Sequence, residues 1–284
     1  MNPALGALLL GATCIALSPI FVRLSEAGPT ATAFWRVALA VPALWALLLF
    51  QKRSSTRTPW LLLLAAGAAF AGDLAFWHTS IKLTSVANST LLANLASIFV
   101  TLAAWIFFRQ RPSALFLAGL AAALAGVTTL VRASLGFSAT GLIGDALGVV
   151  TAMFYAGYLF AVKGLRDRGE STLHLMAVTS TITALILLPV ALGTGERMLP
   201  ASAQGWWVLV GLALLSHVAG QGLIAYALAH LPATFSSVSL LFEPVMAAFF
   251  AWLILAEPLA PLQIAGGAVV LAGIYLARGG SASG

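Results

Sequence analysis

Polar side chains recur along otherwise apolar stretches of this chain, at spacings that align them on helix faces. The first stripe, with intervals of four, three and four residues, consists of Thr90, Asn94, Ser97 and Thr101. Similar stripes are formed by Ser236, Ser239 and Glu243, by Thr151, Tyr155 and Tyr158, and by His217 and Gln221. A single Ser or Thr can simply join two helices, a contact worth about 0.6 kcal/mol. Four aligned stripes predict instead a shared, water-filled cavity that binds a small, partly polar and partly aromatic molecule.

The helices that carry these stripes must lie in a membrane. Hydrophobic residues make up 61% of the chain and charged residues 8%, whereas roughly a quarter of the residues in soluble domains are charged. With about 20 residues needed per span, the sequence predicts ten transmembrane helices, at about 3–23, 30–50, 60–81, 84–108, 112–131, 143–163, 172–193, 204–229, 233–255 and 259–278. The predicted fold class is therefore an all-α integral membrane protein.

The apolar pattern occurs twice. A shift of 147 residues places Trp105, Gly119 and Gly126 on Trp252, Gly266 and Gly273. This predicts a first five-helix repeat at residues 1–135 and a second at 136–284. Because five is an odd number, the second repeat enters the membrane upside down relative to the first, which is the inverted-topology architecture of many secondary carriers.

The basic residues predict the orientation. The net charge of +6 comes from residues in short loops, so it indicates topology and not nucleic-acid binding. Nine basic residues share the side of the two termini, four lie on the other side, and Arg36 lies within a span. By the positive-inside rule both termini are cytoplasmic, in a multi-pass protein of the bacterial inner (plasma) membrane. The single cysteine, Cys14, excludes an internal disulfide framework.

Several motifs resemble a known family. They are the repeated Trp-x13-Gly-x6-Gly signature, Arg36, Leu241-Phe242-Glu243-Pro244, Ala256-Glu257-Pro258, the segment from Asp73 to His78, and Ser85-Val86-Ala87-Asn88. Together they resemble the EamA-type transporters of the drug/metabolite transporter superfamily, and most closely the YddG-type aromatic amino acid exporters. One departure is Gln110, which stands where Glu257 stands in the second half. The resemblance implies alternating-access export of amino acids, particularly aromatic ones.

Candidate site residues follow from depth and chemistry. The predicted substrate-binding residues are Trp77, His78, Asn94, Ser97, Tyr155, Tyr158 and Ser239. Arg36 and Asp73 are opposite charges at similar depth, so we expect a structural ion pair. Glu243 and His217 are candidates for proton coupling, although Glu243 could instead hydrogen-bond backbone that Pro244 leaves free.

No motif predicts covalent chemistry. The sequence has no HExxH, GxSxG, nucleotide-binding glycine loop or paired-cysteine metal site, so we expect no catalytic residue, metal or cofactor. The expected partners are membrane lipid and a small molecule, with no nucleic acid, in a monomer or homodimer. The alternatives are an exporter of another metabolite or drug, a channel, and an intramembrane enzyme using His217 with Glu243 or Asp73.

Overall fold

The computed structural model describes residues 3–51, 59–84, 86–131, 141–256 and 259–281. These residues form helices joined by short loops. The first half contains α1 (Pro3–Ile15), α2 (Ser18–Leu24), α3 (Pro29–Ala38), α4 (Ala40–Leu49), α5 (Trp60–Leu83), α6 (Val86–Ala93), α7 (Ala96–Phe108) and α8 (Ala114–Val131). The second contains α9 (Gly141–Asp167), α10 (Thr172–Gly193), α11 (Ala203–Gly211), a π-helical segment (Leu212–Gln221), α12 (Gly222–Ala227), α13 (Ala233–Ser239), α14 (Phe242–Leu255) and α15 (Pro261–Ser281).

The predicted all-helical membrane fold is confirmed. Nine stretches of the described residues are long and apolar enough to cross a membrane, and α8 occupies the remaining predicted span, the fifth (112–131), with a shorter apolar part, Ala114–Leu130. The chain is thus a multi-pass membrane protein. The boundary predicted between the halves, near residue 135, lies outside the described residues, and so do three residues of the family-like motifs, Ser85, Glu257 and Pro258.

The backbone repeats with the same spacing as the sequence. The fourth span breaks between α6 and α7, and the ninth breaks between α13 and α14. The helices that follow these breaks both end in a left-handed residue, Arg109 with φ of 55° and Ala256 with φ of 54°. Non-glycine residues seldom adopt this conformation, and these two are again 147 positions apart. The spacing supports two structurally related halves.

The glycines of the repeated signature bring α8 and α15 into close contact. A Cβ atom added to Gly119 would lie 2.4 Å from the backbone nitrogen of Ala277 and 2.6 Å from the carbonyl oxygen of Gly273. Gly126 and Gly266 approach each other's backbone in the same way. Small residues allow this approach, and they join the last helix of one half to the last helix of the other.

Two loops cap each other's helices on the face predicted to be external. The Glu26 carboxylate accepts hydrogen bonds from the backbone N–H groups of Ala201 (2.7 Å) and Ser202 (2.9 Å), where α11 begins. The Glu196 carboxylate accepts one from the N–H of Thr30 (2.9 Å), in the first turn of α3. Both contacts satisfy donors that the start of a helix leaves unpaired. We call this arrangement the reciprocal cap.

The reciprocal cap depends on two glycines and on ionised carboxylates. A Cβ atom at Gly28 would lie 2.4 Å from the Glu196 carboxylate, and one at Gly205 would lie 2.8 Å from the Glu26 carboxylate. Two hydrogen bonds from Ser202 hold the pKa of Glu26 below its usual value, and the bond from the hydroxyl has a larger effect than the bond from the backbone N–H. Because folding lowers the pKa of Glu26, this contact stabilises the folded state at pH values above the ordinary pKa of a glutamate. It is lost only as the pH falls through the lowered value.

Candidate functional site

A cavity of about 90 Å³ lies between the two halves, with room for several water molecules. Residues of α2, α3, α5, α6 and α7 line it from the first half, and residues of α9, the π-helical segment, α13 and α14 line it from the second. Its polar lining consists of Ser18, Arg36, Asp73, Trp77, Thr90, Asn94, Ser97, Thr151, Tyr155, Gln221, Ser237 and Glu243. The predicted stripes therefore contribute residues from both halves to one space.

The broken spans bring helix ends to this cavity. The fourth span is interrupted at Asn94 and Leu95, where the Asn94 side chain donates to the carbonyl of Thr90 (2.8 Å) and the Ser97 hydroxyl donates to the carbonyl of Asn94 (3.0 Å). The ninth span is interrupted at residues 240–241, so Glu243 lies in the first turn of α14. The positive ends of two half-helices thus meet the cavity, an arrangement that transporters use to bind polar ligands.

The π-helical segment positions residues on the opposite wall. Wider turns of this kind are rare and occur frequently at functional sites. The segment ends at Gln221, which lines the cavity, and it buries His217 behind the wall. His217 Nε2 lies 2.8 Å from the Ser180 hydroxyl, and the imidazole ring stacks on Phe70 with centroids 5.4 Å apart. His217 is therefore held from two sides and does not reach the cavity directly.

Aromatic rings form the apolar part of the wall. Phe70, Trp77 and Tyr155 line the cavity. Tyr158 packs behind them, with ring centroids 4.8 Å from Phe70 and 6.0 Å from Tyr155. Rings at these distances support each other, so the wall is a fixed surface against which a flat group can lie.

The cavity contains polar atoms that the protein does not satisfy. Five lining residues have a buried nitrogen or oxygen without a hydrogen-bond partner in the described structure: Ser18 Oγ, Arg36 Nε, Thr90 Oγ1, Thr151 Oγ1 and Gln221 Oε1. Buried polar atoms in native proteins are normally paired with protein, water or ligand. The set contains both donors and acceptors, so it fits a ligand with both kinds of group.

The charges of the cavity attract one another across it but form no direct salt bridge. Arg36 is 4% exposed, and its guanidinium carbon lies 5.9 Å from the centre of the Phe70 ring. Asp73 and Glu243 line the same cavity, but among the described residues no contact within 4 Å joins either carboxylate to Arg36. The expected ion pair of Arg36 and Asp73 is thus not a direct salt bridge in this structure. Both charges remain available to a ligand.

Four of the seven predicted substrate-binding residues line the cavity, namely Trp77, Asn94, Ser97 and Tyr155. The other three lie beside it: Tyr158 behind the aromatic wall, His78 with Nδ1 2.7 Å from the carbonyl of Leu74, and Ser239 donating to the carbonyl of Phe235 at 2.9 Å. On α13 it is Ser237 that lines the cavity. A sequence stripe drawn through residues 236–243 assumes one continuous helix, and the break at 240–241 changes which face points inward.

Sequence reasoning did not assign binding roles to several lining residues. Thr90, Thr151 and Gln221 lay on the predicted stripes, so their spacing could have identified them. Ser18 could have been found as a polar residue next to Pro19 inside an apolar span. In the part of the chain that the structure describes, no group of three or more His, Cys, Asp and Glu side chains could hold a metal ion.

A second cavity continues the polar lining toward the face predicted to be cytoplasmic. It encloses about 350 Å³, and Thr101, Arg111 and Thr234 contribute to its wall. Thr101 lies one helical turn from Ser97 on α7, and Thr234 lies one turn from Ser237 on α13. Hydroxyl groups therefore extend along two facing helices from the central cavity to the second one.

Comparisons with known proteins also indicate a membrane transporter. The model of the EamA-like transporter family matches residues 2–132 and 142–279. The pseudopaline exporter CntI of Pseudomonas aeruginosa is 26% identical over 96% of each chain. A protein of Salmonella typhimurium named "Probable amino-acid metabolite efflux pump" is 26% identical, over 78% of this chain and 77% of its own. A crystal structure that shares 16% sequence identity superposes with a TM-score of 0.82, over 99% of this chain and 97% of that chain, and shows the shared fold.

Proposed function

Because the chain belongs to the EamA-like transporter family, we propose that it exports amino acids, aromatic ones in particular, by alternating access. The observation that carries this proposal is the set of unsatisfied polar atoms around a cavity that both halves line. A ligand placed between two related halves can be released to either side as the halves move against each other. The second cavity begins one helical turn from the first, on the side of the face predicted to be cytoplasmic, so a substrate could reach the central cavity through it.

The aromatic preference is supported by the composition of the wall. Phe70, Trp77 and Tyr155 offer a flat apolar surface, while Asn94 and Ser97 offer hydrogen-bonding groups on the other side. Small-ligand sites generally combine these features. The name of the Salmonella relative agrees with an amino-acid substrate. The name of the Pseudomonas relative, a pseudopaline exporter, favours export of another metabolite as the alternative.

The substrate is tested by counterflow in proteoliposomes with a panel of labelled amino acids. We expect phenylalanine, tyrosine and tryptophan to exchange faster than aliphatic or charged amino acids. Tyr155→Ala should lower the phenylalanine rate about fivefold, because an aromatic contact is worth roughly 1 kcal/mol beyond its buried area. The matched control is Tyr275→Ala, since Tyr275 is 74% exposed on α15 and outside the cavity. Equal rates for all amino acids would contradict the aromatic preference, and no exchange of any amino acid would favour export of another metabolite.

We also propose that Glu243 carries the proton if transport is driven by a proton gradient. Its carboxylate lies in the first turn of α14 and lines the cavity, where substrate and proton can compete for it. His217 is the second candidate, but it would have to act through the wall formed by Phe70. Glu243→Gln keeps the shape of the side chain and removes its titration, so phenylalanine exchange should be slower but still measurable, while its acceleration by an imposed pH gradient disappears. Asp167→Asn, at an exposed helix end, is the control. Normal gradient-driven transport by Glu243→Gln would exclude this role.

A further inference from the structure

We infer that the central cavity recognises both charges of a zwitterionic amino acid, with Arg36 binding the α-carboxylate and Asp73 with Glu243 binding the ammonium group. This inference rests on the proposed function and specifies how the same site selects its ligand. It assigns the three charged residues to substrate recognition, where the sequence predicted a structural pair for two of them.

The case for Arg36 begins with its burial. A guanidinium group that is 4% exposed inside a membrane protein is costly unless an anion or a set of acceptors compensates it. Its Nε atom has no hydrogen-bond partner, its position near Phe70 gives a cation–π contact, and Asp73 and Glu243 attract it across the cavity without forming a salt bridge. The planar fork of N–H donors matches the geometry of a carboxylate. A ligand carboxylate would therefore supply the partner that the protein leaves out.

The two acidic residues complete the recognition of a zwitterion. Asp73 comes from α5 in the first half and Glu243 from α14 in the second, and both line the cavity that Arg36 lines. Neither forms an ion pair with Arg36, so their oxygens are free to accept from an ammonium group. Because these acids come from different halves, a bound amino acid would be held by both halves at once.

Charge matching explains why a zwitterion fits better than a simple amine or acid. The cavity presents one cationic and two acidic side chains. A zwitterion places its carboxylate on Arg36 and its ammonium group between Asp73 and Glu243, where the ammonium group and a proton compete for the Glu243 carboxylate. A ligand that lacks the carboxylate leaves Arg36 unpaired, and one that lacks the amine leaves an acid unpaired. Sites built for a polar group reject analogues that lack it because their own buried groups then lose their partner.

The experiment measures binding to purified, detergent-solubilised protein, with labelled phenylalanine displaced by unlabelled compounds. For the wild type we expect phenethylamine, which lacks the carboxylate, and 3-phenylpropanoate, which lacks the amine, to displace it at least about a hundredfold more weakly than phenylalanine does. Arg36→Gln should weaken phenylalanine strongly and leave phenethylamine unchanged. Arg36→Lys should recover part of the affinity, because it keeps the charge and loses the fork. Asp73→Asn should weaken phenylalanine and leave 3-phenylpropanoate unchanged.

Arg197→Gln is the matched control, because it removes a positive charge from an exposed loop outside the cavity; its displacement pattern should equal that of the wild type. If phenethylamine displaces as well as phenylalanine, or if Arg36→Gln weakens all three compounds equally, the inference is wrong. Asp73→Asn provides the same comparison if Arg36 variants do not fold. Binding with the expected preferences but without counterflow would contradict the proposed function and support the inference. Amino-acid counterflow without those preferences would support the proposed function and contradict the inference.

Discussion

Gly119→Ala is expected to destabilise the protein by about 1–3 kcal/mol, the usual range for overpacking a close contact. The added Cβ would lie 2.4 Å from the backbone nitrogen of Ala277 and 2.6 Å from the carbonyl oxygen of Gly273. Backbone atoms of a helix cannot turn aside as a side chain can, so α8 and α15 would have to separate along their shared surface. Thermal unfolding of the purified protein in detergent, followed by size-exclusion chromatography of heated samples, measures the effect.

Gly157→Ala is the matched control for this prediction. Gly157 lies inside α9, and a Cβ atom there would have only the Ala69 Cβ nearby, at 3.9 Å. Because alanine favours helix more than glycine does, this variant should unfold at the same temperature or slightly higher. Equal stability of Gly119→Ala and Gly157→Ala would show that the glycine contact between α8 and α15 is not required.

The small residues of the contact between α8 and α15 can be recognised in the sequence. The two glycines of each Trp-x13-Gly-x6-Gly copy lie on one helix face, and the structure places the glycines of both copies against each other's backbone. Long apolar stretches predict the spans equally well, because the membrane requires a definite length of apolar helix. Such features depend on one helix at a time, so they can be read from local spacing.

The helix breaks could not be predicted in this way. The fourth span breaks at Asn94 and Leu95 and the ninth at Leu240 and Leu241, without a proline or glycine at either point. Pro244, four residues after Leu240, cannot donate to the Leu240 carbonyl and so favours the second break. No such residue marks the first break, which is stabilised by bonds such as the one from the Asn94 side chain to the carbonyl of Thr90. Ser239 lies beside the cavity and not on its wall for this reason, because the stripe that contains it does not continue across the break.

The reciprocal cap could not be predicted from the sequence either. Glu26 and Glu196 lie in loops of different halves, and each binds a helix start that is distant in the chain. No local rule pairs a loop carboxylate with a remote helix end; only the folded arrangement of α3 and α11 does so. The cap joins hairpins that also supply Arg36 and Gln221 to the cavity. If the cavity opens by separation of the two halves on the face that carries the reciprocal cap, the cap must therefore break.

Removing both carboxylates of the reciprocal cap, in Glu26→Ala with Glu196→Ala, should open the central cavity to the face that carries the cap. Each carboxylate satisfies unpaired helix-start donors, and losing both caps should shift the population of the open state about tenfold. The measurement is the labelling rate of Ala93→Cys, a small cavity-lining position, by a membrane-impermeant thiol reagent in a Cys14→Ala background. Leu199→Ala, an exposed change in the same loop, should leave the rate unaltered. If the double variant has a lower melting temperature and an unchanged labelling rate, the cap only stabilises the fold. If labelling is faster and phenylalanine exchange is slower, the cap takes part in the transport cycle.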